Sequence, residues 1–197
     1  NVPGFDGVPV EVRQPRNMWA DGAEDIDPET GYATIRSNAQ NRYVPNFSYG
    51  KGKIVWNFES VNMPAGTDGF LYLNGDTWHW NGAANGAGWI QIRLYPQDST
   101  TKSSFKLHYD WTAEEFTLEE SMNDIKTIEL DTKVDPEDAT KVNVTFSING
   151  KVYYSGKKHN AFDLDGHKGV IFYSGFSGPF SPECTIVFKS LDYEVYE

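Results

Sequence analysis

Apolar and polar residues alternate with a period of two along most of the chain. In the segment 53–59, Ile54, Trp56 and Phe58 fall on one side, and the segment 141–148 repeats the pattern. Successive side chains of a β-strand point to opposite faces, so this alternation predicts strands with one buried face. No apolar stripe at helical spacing runs longer than two turns. The pattern therefore predicts an all-β protein.

Short segments rich in Gly, Pro, Asn and Asp separate the predicted strands. Asn149-Gly150 lies between two alternating runs and is the strongest hairpin signal in the chain. The last strand is predicted over 185–196, with a bulge near Ser190, where the inward parity shifts. Many short strands joined by such turns predict an antiparallel β-sandwich of the jelly-roll type.

Two segments are candidates for helix. The segment 113–122 could form a short helix with Thr112 as its N-cap, although 111–120 fits a strand–turn–strand equally well. The segment 136–139 could form a single helical turn.

The composition of the chain limits the classes of molecule that it is expected to bind. The formal net charge is −11, from 28 Asp+Glu against 17 Lys+Arg. This balance argues against nucleic acid or an anionic membrane surface as a partner, and neutral polymers fit it better than polyanions. Aromatic residues make up 15% of the chain, and in β proteins they serve both packing and ligand stacking.

The chain shows no internal repeat, linker or break in composition. Its 197 residues suit one β-sandwich domain, 1–197, which could be one module of a larger protein. No apolar stretch reaches the roughly 18 residues that a membrane span requires. The one cysteine, Cys184, lies in an apolar run and is expected to be a buried thiol.

The strand 88–95 has two chemically different faces. Ile90, Ile92 and Leu94 share the side that can enter a core. The opposite side has two aromatic rings, an amide and a guanidinium, contributed by Trp89, Gln91, Arg93 and Tyr95. A sugar ring offers an apolar C–H face and a rim of hydroxyls, which such a surface suits. The strand is therefore interpreted as a wall of a glycan-binding cleft, the alternative being that another layer of the protein covers this face.

Two further groups could extend the cleft. The stretch 78–89, which leads into this strand, contains three tryptophans in twelve positions and two amides, and its further candidate ligand contacts are Trp78, Trp80, Asn81 and Asn85. Exposed indole rings are costly unless something covers them, although one of these rings could instead plug the edge of the core. If the next strand pairs as a hairpin, Lys106, His108 and Asp110 join the same surface, with Asn57 and Glu59 as further candidates.

The C-terminal half has an order of elements with a known counterpart. The elements come in this order: an alternating strand, the Asn149-Gly150 turn, the segment 170–176 and a final strand over 186–196. This order is similar to that of the concanavalin A-like (laminin-G-like) jelly-roll superfamily, over roughly residues 45–197. The superfamily contains lectins, carbohydrate-binding modules, glycoside hydrolases and polysaccharide lyases. The resemblance implies a concave sheet face that serves as a glycan groove.

Alginate-lyase-like members use an early Arg, a Gln-Ile-His strand and a Tyr near the C-terminus. Gln91-Ile92-Arg93 resembles the middle motif, and Tyr173 lies in a segment that resembles the last one. Arg93 stands where the family has His, and the early Arg-x-Glu-x-Arg motif is missing, since Ile35-Arg36-Ser37-Asn38 is a poor substitute. These departures make a lyase the alternative.

A hydrolase of this fold would need two carboxylates about 5–5.5 Å apart for a retaining mechanism. The segment 25–29 resembles a laminarinase signature, but Pro28 and the flanking glycines predict a loop, so its acids are not expected to be catalytic. No cofactor is expected to be required. The same acidic loop could hold a structural Ca²⁺ through Asp21, Asp25 and Asp27, without the spacing of an EF-hand.

The sequence thus favours a secreted or cell-surface, lectin-like, non-catalytic carbohydrate-binding domain whose ligand is a plant or microbial polysaccharide or oligosaccharide. The alternative is a lyase or glycoside hydrolase that works in the same groove. The predicted ligand-binding residues are Trp78, Trp80, Asn81, Asn85, Trp89, Gln91, Arg93, Tyr95, His108 and Tyr173.

Overall fold

The computed structural model describes residues 11–13, 25–37, 40–44, 50–64, 69–76, 89–107, 113–159, 171–177 and 183–196. Within these ranges the chain forms two antiparallel sheets of seven strands each. The sheet that we call the front sheet runs, in spatial order, β1 (Glu11–Arg13), β4 (Gln40–Val44), β13 (Ile171–Ser177), β6 (Phe70–Asp76), β7 (Trp89–Leu94), β8 (Ser103–Leu107) and β9 (Glu114–Phe116). The back sheet runs β12 (Lys151–His159), β11 (Lys141–Ile148), β10 (Thr127–Val134), β5 (Lys51–Asn62), β14 (Thr185–Val195), β3 (Ala33–Arg36) and β2 (Asp25–Ile26).

The inward faces of both sheets form one hydrophobic core. On β5, Ile54, Trp56 and Phe58 are at most 3% exposed, and alternate β11 residues are equally buried. Burying each such side chain contributes about 1.5–3 kcal/mol, so alternation along both sheets favours stacking them face to face. The predicted all-β sandwich is confirmed. That residues 1–197 form one domain stays a prediction.

The predicted hairpin at Asn149-Gly150 is confirmed. Asn149 and Gly150 have φ of 52° and 79°, which is the left-handed backbone that a type I′ turn requires. Ile148 then pairs with Lys151 across the turn. The Asn149 side chain also accepts hydrogen bonds from the backbone N–H of Lys126 and Thr127, at 2.7 and 3.0 Å. One residue thus fixes both the turn and the chain that leads into β10.

Two details of the back sheet also agree with the sequence. The register of β14 against β5 shifts between Phe188 and Ser190, so the bulge predicted near Ser190 is confirmed. Cys184 is fully buried as a free thiol. Among the described residues no helix is long and apolar enough to cross a membrane.

Of the two alternatives for 111–122, the helix is wrong and the strand of the other alternative is present. Residues 114–116 form β9, which pairs with β8, and a single 3₁₀ turn follows at Met122–Asp124 with Ser121 as its N-cap. Phe116 packs against Phe146 and Tyr153, with ring centroids 5.7 and 4.8 Å apart. Pairing and packing with distant residues therefore override the local helix propensity. The segment 136–139 is a bend and turn between β10 and β11, without a helix.

Candidate functional site

The outer face of the front sheet has the chemistry that the sequence predicted for 88–95. Ile90, Ile92 and Leu94 of β7 are at most 1% exposed and lie in the core. Gln91, Arg93 and the following Tyr95 are half-buried. Since alternate residues of a strand lie on opposite faces, they lie on the outer face. The predicted division of this strand into two faces is confirmed.

A row of polar residues crosses the sheet at one level of the register. Arg13 pairs with Arg42, Arg42 with Tyr173, Tyr173 with Asn74, Asn74 with Gln91 and Gln91 with Lys106. We call these six positions the central row. Neighbouring strands are about 4.8 Å apart, so the row spans a length comparable to several sugar rings. The row crosses strands from the N-terminal, central and C-terminal parts of the chain.

A second row lies on the same face, two residues away along each strand. Arg93 pairs with Tyr72 on one side and with Ser104 on the other, and Glu115 of β9 pairs with Ser104. Tyr72, Arg93 and Ser104 are half-buried, and Glu115 is exposed. The guanidinium of Arg93 therefore has neutral residues as its immediate neighbours across both strands.

Three rings form what we call the aromatic cluster at the end of the face: Phe70, Tyr72 and Tyr95. The Phe70 ring centroid is 5.0 Å from that of Tyr95 and 6.4 Å from that of Tyr72. The Arg93 guanidinium carbon lies 5.0 Å from the centroid of the Phe70 ring, within cation–π range. The cluster thus offers apolar ring surface beside a positioned cation.

Two polar atoms on this face are buried without a partner. Among the residues that the structure describes, neither Asn74 Oδ1 nor Arg93 Nε makes a hydrogen bond. A buried polar atom left unpaired costs about 1–3 kcal/mol. Both atoms belong to the outer face and lie on adjacent strands. Both side chains therefore have hydrogen-bonding capacity that the described residues do not use.

A small pocket extends the face beyond the aromatic cluster. It is lined by Tyr95, Ser99, Thr101 and Ser103, among others. The hydroxyl of Ser103 accepts a hydrogen bond of 2.9 Å from the backbone N–H of Tyr95, which fixes the start of the β7–β8 connection. The pocket is polar and continues directly from the Tyr95 ring.

The structure brings some of the predicted site residues together and leaves others undescribed. Gln91, Arg93 and Tyr95 lie on one face, and the backbone register places Trp89 opposite Asp76 and Tyr173 opposite Asn74 on that same face. The remaining predicted ligand contacts lie outside the described residues: Trp78, Trp80, Asn81, Asn85 and His108.

The predicted hairpin partner of β7 is confirmed, whereas the predicted contribution of β5 is wrong. β7 and β8 pair antiparallel, with Gln91 opposite Lys106. Asn57 and Glu59 belong to the back sheet, and the amide of Asn57 donates to Asp192 Oδ2 at 2.9 Å. Parity identified their outward positions correctly, but parity does not say which sheet a strand joins.

Sequence reasoning missed several positions of this face, among them Arg42, Phe70, Tyr72 and Asn74. A signal existed for β6, because Tyr72 and Asn74 alternate with the buried Leu71 and Leu73. Arg42 lies on β4, which showed no clear alternation, and its place beside Tyr173 follows only from the pairing of β4 with β13.

The acidic loop proposed for calcium is structurally a turn that follows β2. Asp27 Oδ1 accepts hydrogen bonds from the backbone N–H of Glu29 and Thr30, at 2.7 and 3.1 Å, and these bonds lower the pKa of Asp27. Asp25 pairs with Thr34 through the backbone, and Asp21 lies outside the described residues. In the part of the chain that is described, no group of three or more His, Cys, Asp and Glu side chains could hold a metal ion. A structural Ca²⁺ stays a prediction.

Comparisons with known proteins identify the fold. No family model and no curated protein sequence matches the chain. A structure from work on endo-acting O-glycanases of the human gut microbiota, which initiate mucin breakdown, superposes with a TM-score of 0.58 at 13% identity, over 100% of this chain and 95% of that one. The carbohydrate recognition domain of Emp46p, as a point mutant, gives 0.58 at 10% identity over 95% and 99%. Alginate lyase Aly36B gives 0.53 at 13% identity over 91% and 86%.

These three structures resemble the chain along nearly its whole length, while their sequences differ too much to show more than architecture. The predicted resemblance in fold is therefore confirmed: the two antiparallel sheets form a concanavalin A-like jelly roll.

Proposed function

We propose that the outer face of the front sheet binds a glycan. The observation that carries this proposal is the pair of unpartnered polar atoms, Asn74 Oδ1 and Arg93 Nε, on adjacent strands beside half-buried rings. Sugar hydroxyls both donate and accept hydrogen bonds, so they can pair with an amide oxygen and with a guanidinium N–H. The C–H faces of a pyranose can pack on aromatic rings. A glycan supplies both kinds of contact in one molecule.

The proposed binding mode is non-catalytic and uses the rigidity of the sheet. The amides of Asn74 and Gln91 would bind hydroxyls in the central row, and the aromatic cluster would pack against a ring. The sheet orders these side chains before the ligand arrives, so little conformational entropy is lost on binding. Trp89, with the loop containing Trp78 and Trp80, would extend the stacking surface.

The proposal also includes where the protein acts and what kind of larger protein it belongs to. The three structures reported above include a carbohydrate recognition domain, an alginate lyase and work on O-glycanases. A module that binds polysaccharide outside the cell, within a larger secreted or cell-surface protein, fits that range. A structural Ca²⁺ near Asp25 and Asp27 would be an accessory to this function, since neither residue lies on the front sheet.

Calorimetric titration of a panel of β-glucan, xylan, mannan and polyuronate oligosaccharides tests the proposal. Gln91→Ala should weaken binding of the best ligand about tenfold, because it removes the hydrogen bonds of one amide. The matched control is Asn143→Ala, which removes an amide from β11 of the back sheet and should leave the affinity unchanged. Equal losses in both variants, or no binding to any glycan, would refute the site.

A second candidate function is elimination by a polysaccharide lyase. One observation favours it: the register places Arg42 next to Tyr173, followed by Asn74 and Gln91 across the central row. In this second candidate function, Arg42 would take the role of the early Arg that the sequence motif lacked. In such a reaction the basic and amide groups neutralise the uronate carboxylate. A base removes the proton at C5, the C4–O bond breaks, and the leaving oxygen is protonated.

The lyase version has a direct assay. Incubation with polyuronates should raise the ultraviolet absorbance as C4–C5 double bonds form, and Tyr173→Phe should abolish that rise while the variant still binds the polymer. A flat absorbance trace from a protein that binds the same polymer leaves the non-catalytic proposal in place and removes the lyase.

A further inference from the structure

Among the described residues, Arg93 has no acidic neighbour on its own strand face or directly across the adjacent strands. Its neighbours across the strands are Tyr72 and Ser104, and its neighbours along the outer face of β7 are Gln91 and Tyr95, all uncharged. None of the ion pairs between described residues involves Arg93. Glu115 lies two strands away, at roughly 10 Å by the usual strand spacing.

The guanidinium is nevertheless held in place. Its carbon lies 5.0 Å from the Phe70 ring centroid, and the Phe70 ring is itself packed against Tyr95. The Nε atom is buried and has no hydrogen-bond acceptor among the described residues. A positioned guanidinium can bind both oxygens of a carboxylate through two parallel hydrogen bonds, which is the strongest pairing that Arg makes.

The charge of the central row favours the same kind of ligand. Arg42 and Lys106 stand at either side of Tyr173, Asn74 and Gln91, with Arg13 beyond Arg42. Among the described residues, the acids that register or exposure places on this face lie outside that row, and they are Glu11, Asp76 and Glu115. Cationic residue types at three of the six positions of the row, on a chain of net charge −11, favour an anionic ligand at this one surface.

We infer that the glycan bound by the front sheet carries a carboxylate, and that Arg93, supported by Phe70, is the residue that selects it. This inference rests on the proposed glycan-binding function and names its ligand class. It departs from the neutral glycans that the overall composition favours, because the charge of the face differs from that of the whole chain. The carboxylate could belong to a uronic acid inside a polymer or to a terminal sialic acid, and both present the same planar group.

The experiment compares each acidic glycan with its uncharged counterpart. Polygalacturonate oligomers are titrated against the same oligomers after carboxyl reduction, and sialyllactose is titrated against lactose. At least one acidic member should bind about tenfold to a hundredfold tighter than its uncharged partner. That preference should shrink as the salt concentration rises.

Variants assign the preference to one side chain. Arg93→Gln should remove the preference, so that the acidic and the uncharged member bind with similar affinity. Arg93→Lys, which keeps the charge and loses the two-pronged hydrogen bonding, should retain only part of the preference. Lys189→Gln removes an exposed cation from β14 of the back sheet and should change nothing. Far-ultraviolet circular dichroism and thermal melting identify any variant that fails to fold, and Arg93→Lys then decides the outcome.

Failure of the inference differs from failure of the proposed function. Equal binding of acidic and uncharged glycans by the unmodified protein would overturn the role of Arg93 and leave glycan binding standing. A full preference retained by Arg93→Gln would also overturn it. Absence of binding to every glycan would refute both.

Discussion

The two outer faces of the sandwich follow the same alternation but differ in how their polar groups are paired. On the back sheet, Lys53 lies 3.9 Å from Glu129 and 3.5 Å from Glu194, and Asn57 donates to Asp192 at 2.9 Å. On the front sheet, Asn74 Oδ1 and Arg93 Nε are buried and have no partner in the described part of the chain. On the back face these polar groups pair with one another, whereas on the front face these two polar atoms are unpaired among the described residues. The pairing of polar groups therefore distinguishes the two faces, which hydrophobic patterning alone cannot do.

The largest effect is expected from the core beneath both faces. Trp56 is fully buried on β5, so Trp56→Ala should cost about 3–5 kcal/mol of unfolding free energy through lost burial and a cavity. For a chain of this size the melting temperature should fall by about 6–20 °C. Scanning calorimetry measures the shift. A fall of less than about 2 °C would show that this ring is not part of a shared core, and glycan binding by the protein that remains folded should be retained.

The stability that the back sheet provides should decrease in acid. Asp135, which follows β10, is buried, and its hydrogen bonds with Lys157 of β12 and the Glu137 backbone lower its pKa below the ordinary 3.8. Because the folded-state pKa is depressed, the stabilisation is fully present well above pH 4 and is lost as pH falls through the folded value. Denaturant unfolding between about pH 5 and pH 2 should show a shallower loss in Asp135→Asn than in the unmodified protein. An identical slope in both would contradict this assignment.

A small effect is expected from the exposed ion pairs of the back face. The Lys53 and Glu129 side chains are about a third exposed, at 33% and 37%. Ion pairs in that setting contribute less than about 1 kcal/mol, so Lys53→Ala should change the unfolding free energy by no more than that amount. Urea unfolding provides the measurement. A loss above about 2 kcal/mol would mean that the back face depends on these charges far more than their exposure suggests.

The sequence predicted those parts of the fold that depend on local order. Alternation in 53–59 and 89–94 identified the buried faces of β5 and β7, because strand parity is a property of neighbouring residues. Asn149-Gly150 identified its hairpin because the left-handed turn conformation is itself a local preference. Local order left helix and strand–turn–strand open for the segment 111–122, since β9 is held by pairing with β8 and by Phe116 against Phe146, and both contacts join distant positions.

The candidate site was predictable along one strand and not across strands. Gln91, Arg93 and Tyr95 share a face by parity, which a single sequence reveals. The pairing of Arg42 with Tyr173, and of Tyr173 with Asn74, depends on β13 lying between β4 and β6. Asn57 and Glu59 were placed on the wrong sheet for the same reason. Sheet order is set by the packing of the whole chain, and alternation within one segment contains no information about it.

The contrast between the two faces is tested most directly by truncating one asparagine on each. Asn57→Ala on the back sheet removes a satisfied hydrogen bond to Asp192 and should cost about 0.5–1.5 kcal/mol of unfolding free energy, with glycan affinity unchanged. Asn74→Ala on the front sheet removes an oxygen that has no partner among the described residues, so the unfolding free energy should stay unchanged or rise by up to about 1–3 kcal/mol, while glycan affinity falls about tenfold. The opposite result, with Asn74→Ala destabilising the fold and leaving glycan binding intact, would contradict the assignment of the front face as the binding surface.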